Sequence, residues 1–425
     1  MDAQPLDSPK VFSNPRIPID LETCALPAPG LPAYSIPVLL SLRAEDQSMK
    51  SLFRVITVAV AVAAVLTSVP AAQPTKAETA NQWREIVAKA SDYLKKSQNE
   101  NGSWSAEPQS RGVTGIVVTG LIRTGTGPDD EPVAKGLTYI ESLVNTKEGH
   151  IAGNDSKAGL INYTTSINVM ALSAAGRIDK YKPVIGNAVR YLKEYQWDEA
   201  RGKKPDSDYY GGAGYAGDKS RPDLSNTAFF LEALKTAGVS KDDPAFKKAA
   251  VFVGRCQNLK GEYNDAAWAA KNNDGSFIYT GANGGENRTD TTDFRGYGSM
   301  TYAGIKSLIY CGVGKDDPRL KAAIGWAKKN YTLDSNPGMP QQNAQRGLYY
   351  YYHTLAKTMD ALGVDEFEDD KGVKHDWRAD IVAALAKRQK PDGSWTNPTD
   401  RWMEGDPNLV TAYGLMALSY CQPKK

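Results

Sequence analysis

This sequence predicts an all-α fold, an (α/α)6 toroid of six helical hairpins in one domain, and three observations lead there. An internal repeat runs along the chain. Two kinds of helix alternate within it. Six such units suffice to close a double-walled ring, with one helix of each hairpin inside and one outside.

The repeat is read from VTGIVVTGLIRTG, TTSINVMALSAAG, NTAFFLEALKTAG and MTYAGIKSLIYCG, which carry Thr114, Leu121 and Gly125, then Thr165, Leu172 and Gly176, then Thr227, Leu234 and Gly238, then Thr301, Leu308 and Gly312. A weaker fifth copy has Tyr352, Met359 and Gly363, and a sixth has Thr411 and Leu418 before the chain ends. The glycine suits a helix C-cap, and the threonine can cover an N-terminal turn. These helices are apolar all round, as Thr411 to Tyr420 shows, and so must be buried on every side.

Between them lie one-sided helices. Val133, Gly136, Leu137 and Ile140 make one stripe at helical spacing, and Phe246, Ala249, Ala250 and Val253 make another. Leu320, Ala323, Ile324 and Ala327 repeat it, as do Trp377, Ile381, Ala384 and Leu385, while lysines fill the opposite faces. Asp242 to Pro244 and Asp316 to Pro318 read as N-caps followed by proline at the first helical position. An open solenoid is the architectural alternative, but it calls for polar end units, and the last unit ends in the apolar Leu415 to Cys421.

Ahead of the repeats, residues 1–48 are Pro-rich and aperiodic, which reads as a disordered segment or as an upstream extension that is not translated. Residues 49–71 have the order of a secretory signal: Lys50 and Arg54, an apolar run from Val55 to Leu66, then Val69-Pro70-Ala71. That run is short for a membrane span, an uncleaved anchor being the alternative. The toroid is assigned to residues 72–425, and the protein is expected to be secreted or periplasmic, with no stable membrane span after signal cleavage. The 425 residues hold 51 Lys and Arg against 49 Asp and Glu, a net charge of +2 that gives a nucleic-acid partner little to grip. Of the cysteines, Cys24 precedes the signal, and Cys256, Cys311 and Cys421 end apolar stretches, as buried small hydrophobes do.

Two outer helices end in a sharper motif. Gln98, Gly102 and Trp104 in QNENGSW, and Gln389, Gly393 and Trp395 in QKPDGSW, read QxxxGxW, with degraded versions at Asn145, Gly149 and Ile151 and at Lys271, Gly275 and Phe277. From Gln82 to Cys421 the chain resembles the prenyltransferase and squalene oxidase repeat family, which includes squalene-hopene cyclases and protein prenyltransferase β subunits. The resemblance implies that the Gln ties a helix end while the Trp stacks on the neighbouring unit.

In the hopene-forming cyclases a DxDDTA motif supplies the proton that starts cyclisation. Here that stretch is Asp223-Leu224-Ser225-Asn226-Thr227-Ala228, with Ser225 in the place of the acid. A serine hydroxyl cannot protonate an alkene. Asp223 is the candidate catalytic acid that remains, with a helix cap after Pro222 as its structural alternative. Zinc-dependent prenyl transfer, by the same resemblance, needs Asp and Cys where Tyr297 and Ser299 stand, and His353 alone is not a zinc site. No metal and no cofactor are expected.

Tyrosines gather on the inner helices. Tyr349 to Tyr352 are assigned ahead of the fifth inner helix, Tyr297 and Tyr302 to the fourth, Tyr209, Tyr210 and Tyr215 to the third and Tyr163 to the second. Their rings could line a cavity and stabilise cations, stack on sugars, or simply pack between helices. Cavity candidates are Asn226, Tyr210, Tyr297, Tyr302, Tyr350, Tyr352, His353 and Asp293, the last on a rim with Asp290, Arg288, Arg295 and Asp406. The expectation is a cyclase-like repeat protein holding an isoprenoid or other lipid. The alternative is a carbohydrate-active or non-catalytic binding toroid with an oligosaccharide ligand, which rests on fold analogy.

Overall fold

The computed structural model describes residues 74–155, 160–216 and 220–423. The extension at residues 1–48, the signal at 49–71 and Cys24 lie outside the described residues.

Among the described residues, twelve helices of at least three turns follow one another as six outer–inner pairs in chain order: α1 (Lys76–Lys96) then α2 (Ser110–Arg123), α3 (Glu131–Ser142) then α4 (Ile161–Ala174), α5 (Ile178–Glu194) then α6 (Leu224–Thr236), α7 (Pro244–Arg255) then α8 (Gly298–Tyr310), α9 (Pro318–Lys329) then α10 (Leu348–Leu362), and α11 (Trp377–Arg388) then α12 (Pro407–Leu418). A one-turn helix at Ala269–Asn272 and a two-stranded hairpin, β1 (Phe367–Glu368) with β2 (Lys374–His375), sit in connections. Each even-numbered helix packs on the next, and α12 packs back on α2, so the inner wall closes. Outside, α11 packs on α1. An open solenoid would leave both contacts unmade.

The two helix types behave as their patterns require. Every residue of α12 from Leu409 to Leu418 is buried, whereas α3 buries its Val133, Gly136, Leu137 and Ile140 stripe and exposes Lys135. The Ala245 N–H donates to Asp243 (2.9 Å), and the Arg319 N–H donates to Asp317 (2.9 Å), as the Asp-Pro starts predict.

The glutamine motif explains how units are stitched. Gln98 Nε2 donates to the Gly102 carbonyl (2.9 Å) and to the Pro132 carbonyl of the next outer helix (2.8 Å). Gln389 does the same across the seam, to Gly393 (2.9 Å) and to Ile86 of α1 (2.9 Å). Gly393 has φ +89°, and a Cβ there would lie 2.3 Å from the Lys89 carbonyl oxygen, so only glycine lets the turn come this close. The Trp104 and Trp395 indoles donate to Leu94 (2.7 Å) and Leu385 (2.8 Å). Two further stitches escape the spacing. Gln196 joins Gly211 (2.8 Å) and Ala245 (3.0 Å), and Gln257, not Lys271, joins Gly275 (3.0 Å) and Arg319 (2.8 Å). In both units a loop separates the Gln from its Gly.

The repeat threonine serves the preceding loop, and Thr227 also donates to the Asp223 carbonyl at its own helix start (2.7 Å). Thr114, Thr165, Thr227, Thr301 and Thr411 each accept, at 3.0–3.1 Å, from the backbone N–H of Trp104, Ile151, Ala213, Phe277 and Trp395. In the fifth unit Tyr352 stands there and donates instead to the Leu333 carbonyl (2.5 Å).

Deep in the C-terminal halves of the inner helices, Lys306 of α8 lies 2.9 Å from Glu232 of α6, and Lys357 of α10 pairs with the same carboxylate. Cys256 and Cys421 are buried, Cys311 is half-buried, and all are free. No helix among the described residues is long and apolar enough to cross a membrane.

Candidate functional site

A two-lobed cavity opens between the N-terminal halves of the inner helices. One lobe, of about 220 Å³, is walled by Tyr163, Tyr215, Tyr279, Tyr297, Tyr350 and Tyr413, with Ser225, Ser299 and Glu404 among them. The other, of about 190 Å³, sets aliphatic Val113, Ile116, Ile167 and Leu409 beside three aromatic rings, with Arg111 also in its lining. Leu160, Tyr163, Trp402, Met403 and Tyr413 face both.

The repeat phase dictates this lining. The residue two places before the repeat position in each unit, Gly112, Tyr163, Ser225, Ser299, Tyr350 and Leu409, faces a lobe in all six. On a helix, neighbours one place along point about 100° away. Positions two and three places further along face no lobe in any unit, which leaves Tyr302, Tyr352 and His353 out, and Asn226, one place along, lines neither lobe although Val113, Thr164 and Met300 at that step do.

Tyr349 to Tyr352 lie inside α10 rather than ahead of it, and only Tyr350 faces the cavity. Tyr351 donates to the Thr332 carbonyl (2.7 Å), which ties α10 to the end of α9. Tyr302 packs edge-on to Tyr351, with ring centroids 5.7 Å apart. His353 is 2% exposed and stacks on Tyr413 from outside the wall. Burial, with Lys306 and Arg123 nearby, holds its imidazole well below the usual range. Tyr210 is in the α5–α6 connection, where its hydroxyl meets Glu199 (2.7 Å). Asp293 is in the α7–α8 connection, lines neither lobe, and accepts from Arg295 Nε (2.8 Å), which holds its carboxyl well below the usual range. Tyr297 and Tyr350 are thus the two candidates that the structure brings to the cavity.

Asp223 is the N-cap of α6. It accepts from the Asn226 N–H (2.8 Å) and from the Asn226 side-chain amide (2.8 Å). It lies behind the wall, hydrogen bonded to Tyr279, whose hydroxyl is 2.6 Å from that of Tyr215. Burial pushes its carboxyl up to about 6 despite these bonds. Ser225, where the family's acid would be, does face the cavity, its hydroxyl 3.2 Å from that of Tyr350.

Glu404 is the site residue that the sequence does not announce. It precedes α12, is 1% exposed, and accepts from the Tyr350 N–H (2.8 Å) and the Asn397 amide (2.6 Å), so it caps α10 from the neighbouring unit. Burial pushes its carboxyl up to about 7. No group of three His, Cys, Asp or Glu side chains among the described residues is arranged to hold a metal ion.

Residues 106–281 match the family model of the squalene-hopene cyclase C-terminal domain, a span that contains the whole Asp223 to Ala228 stretch. Over that span the chain is similar to the squalene-hopene cyclases. Its fold is that of the type II terpene cyclase MstE from Scytonema in the apo state, at 15% identity and a TM-score of 0.53, over 82% of this chain and 99% of that one. A variant of MstE in complex with geranylgeranyl dihydroxybenzoate as substrate matches equally well, with 14% identity, a TM-score of 0.53, and coverage of 81% and 99%. An unsaturated glucuronyl hydrolase specific for heparin shares the toroid too, at 13% identity and a TM-score of 0.52, over 80% and 96% of the two chains. At these identities the likeness is one of fold. No curated protein matches the sequence closely enough to count as a relative.

Proposed function

We propose that this squalene cyclase-like toroid holds an isoprenoid or other apolar lipid in its cavity and does not run the standard proton-initiated cyclisation. Ser225 carries the reading, because it faces the cavity beside Tyr350 and cannot supply the proton. The aromatic and aliphatic walls support the lipid half, since an apolar chain gains by leaving water for such surfaces.

If a reaction does occur, Asp223 is the candidate acid, acting through Tyr279 and Tyr215 rather than by contact. Burial weakens it as an acid, and an alkene demands a strong one. The carbohydrate alternative draws on shared fold and on rings able to stack on sugars. Glycoside cleavage uses two facing carboxyl groups, and among the described residues the lobes are lined by the single carboxylate of Glu404. Export rests on the signal-like order of residues 49–71.

The test is mass spectrometry of lipids extracted from the purified protein, together with thermal melts in geranylgeraniol and in an oligosaccharide panel. Co-purified isoprenoid, or a melting temperature raised by geranylgeraniol, supports the reading. No bound lipid, with melting raised by oligosaccharides alone, overturns it. Should turnover of an isoprenoid be found, Asp223→Asn is expected to abolish it, and unchanged turnover removes Asp223 as the acid.

A further inference from the structure

Trp402 and Met403 lie side by side in left-handed backbone, with φ of 60° and 66°, in the loop between α11 and α12. Bulky side chains rarely adopt that conformation, and it persists only where the surroundings impose it. Here they do. The Asn397 N–H donates to the Glu404 carbonyl (2.8 Å), and the Gly405 N–H donates to Asp400 (2.8 Å), which closes the loop on itself. Glu404 is pinned to α10 through the Tyr350 N–H. The Trp402 indole lies parallel to the Tyr297 ring, 5° from coplanar with centroids 6.4 Å apart. Its far edge sits so close to Gly347 that a Cβ there would be 3.0 Å from it.

The strained pair lies where the two lobes meet. Both side chains face both lobes, and they come from a loop, whereas Tyr163 and Tyr413 come from inner helices. Trp402 is the largest of the side chains that line both lobes.

We propose that Trp402 is the specificity-determining wall of the cavity, dividing it so that the length of isoprenoid chain admitted is set by one lobe rather than by both together. This rests on the lipid-holding reading. It makes a separate claim, because a lipid could be held without Trp402 choosing its length.

The experiment titrates farnesol and geranylgeraniol into the full chain and into Trp402→Gly, which removes the ring and suits the left-handed backbone. Trp402→Phe keeps a wall, and Trp402→Leu lowers it should the glycine variant fold poorly. The ratio of the two dissociation constants is expected to move toward geranylgeraniol by about tenfold or more in the glycine variant, the scale on which apolar pockets discriminate by length. It should move less in the leucine variant and stay put in the phenylalanine one. An unchanged ratio in both Trp402→Gly and Trp402→Leu, with both alcohols still bound, overturns the wall and leaves the lipid reading standing. If neither alcohol binds the unaltered protein, the lipid reading itself fails and takes the wall with it.

Discussion

The hydroxyls of Ser225 and Tyr350 stand 3.2 Å apart in the tyrosine lobe and join α6 to α10. A carboxyl placed there would be desolvated and held neutral. Ser225→Asp should therefore fold at low pH and lose about 1–3 kcal/mol relative to the parent as pH rises from about 5 to 8, because the raised folded pKa binds a proton that the unfolded chain releases. Thermal melts across that range check it. Parallel pH profiles for variant and parent would mean that position 225 is wet.

Asp223 and Glu404 already show this effect, pushed up to about 6 and about 7 by burial. Unfolded Asp and Glu titrate near 3.9 and 4.3, so the folded protein holds extra protons between about pH 4 and 7. Stability from these two groups is then greatest below about pH 4 and falls as pH rises to 7. Glu404→Gln keeps an acceptor for the Tyr350 N–H and should remove much of the slope, on the order of 3 kcal/mol at pH 8. Denaturant unfolding at several pH values measures it, and an unaltered slope would exclude Glu404 as its source.

Glu232 stands between two ammonium groups, 2.9 Å from that of Lys306, with all three side chains at most 4% exposed. Burial pushes both lysines down, Lys306 to about 7, so the carboxylate is what favours their charged forms, and removing it alone leaves two buried amines unpaired. Glu232→Gln should cost about 3–5 kcal/mol, while replacing all three residues by apolar ones of similar volume should be near neutral. Chemical denaturation of both variants distinguishes an ion cluster that needs its carboxylate from one that does not.

Much of this architecture is legible in the chain. The Thr-Leu-Gly phase marks the inner helices, and the two full glutamine motifs mark where units meet. Gln196 and Gln257 are hidden because inserted loops separate them from Gly211 and Gly275, so the bond survives while the spacing does not. The tyrosine run at 349–352 is ambiguous for a geometric reason: four successive residues on a helix point four ways, and only the repeat phase selects Tyr350. The same phase exposes Tyr163 and Ser225, and sets aside Tyr302 and His353. Glu404, Trp402 and Met403 lie in an aperiodic loop, and their placement depends on contacts with α10 that no local pattern records.

At the ring's seam, Gln389 bonds to Gly393 and Ile86, just as Gln98 bonds to Gly102 and Pro132 within the ring. Gln389→Ala and Gln98→Ala should therefore cost similar amounts, about 1–3 kcal/mol each, by leaving carbonyls without donors. Trp395→Ala should cost about 3–5 kcal/mol as a cavity in a packed core. Calorimetry reads all three, and a negligible loss for Gln389→Ala alone would mean that the glutamine does not hold the seam.

Lipid occupancy of the barrel is tested most directly by a crystal structure of the full chain grown with geranylgeraniol. Density for the chain between Tyr163, Tyr350 and Tyr413 is the result expected. A barrel without lipid density at saturating alcohol, or lipid seated only on the outer helices, would contradict it.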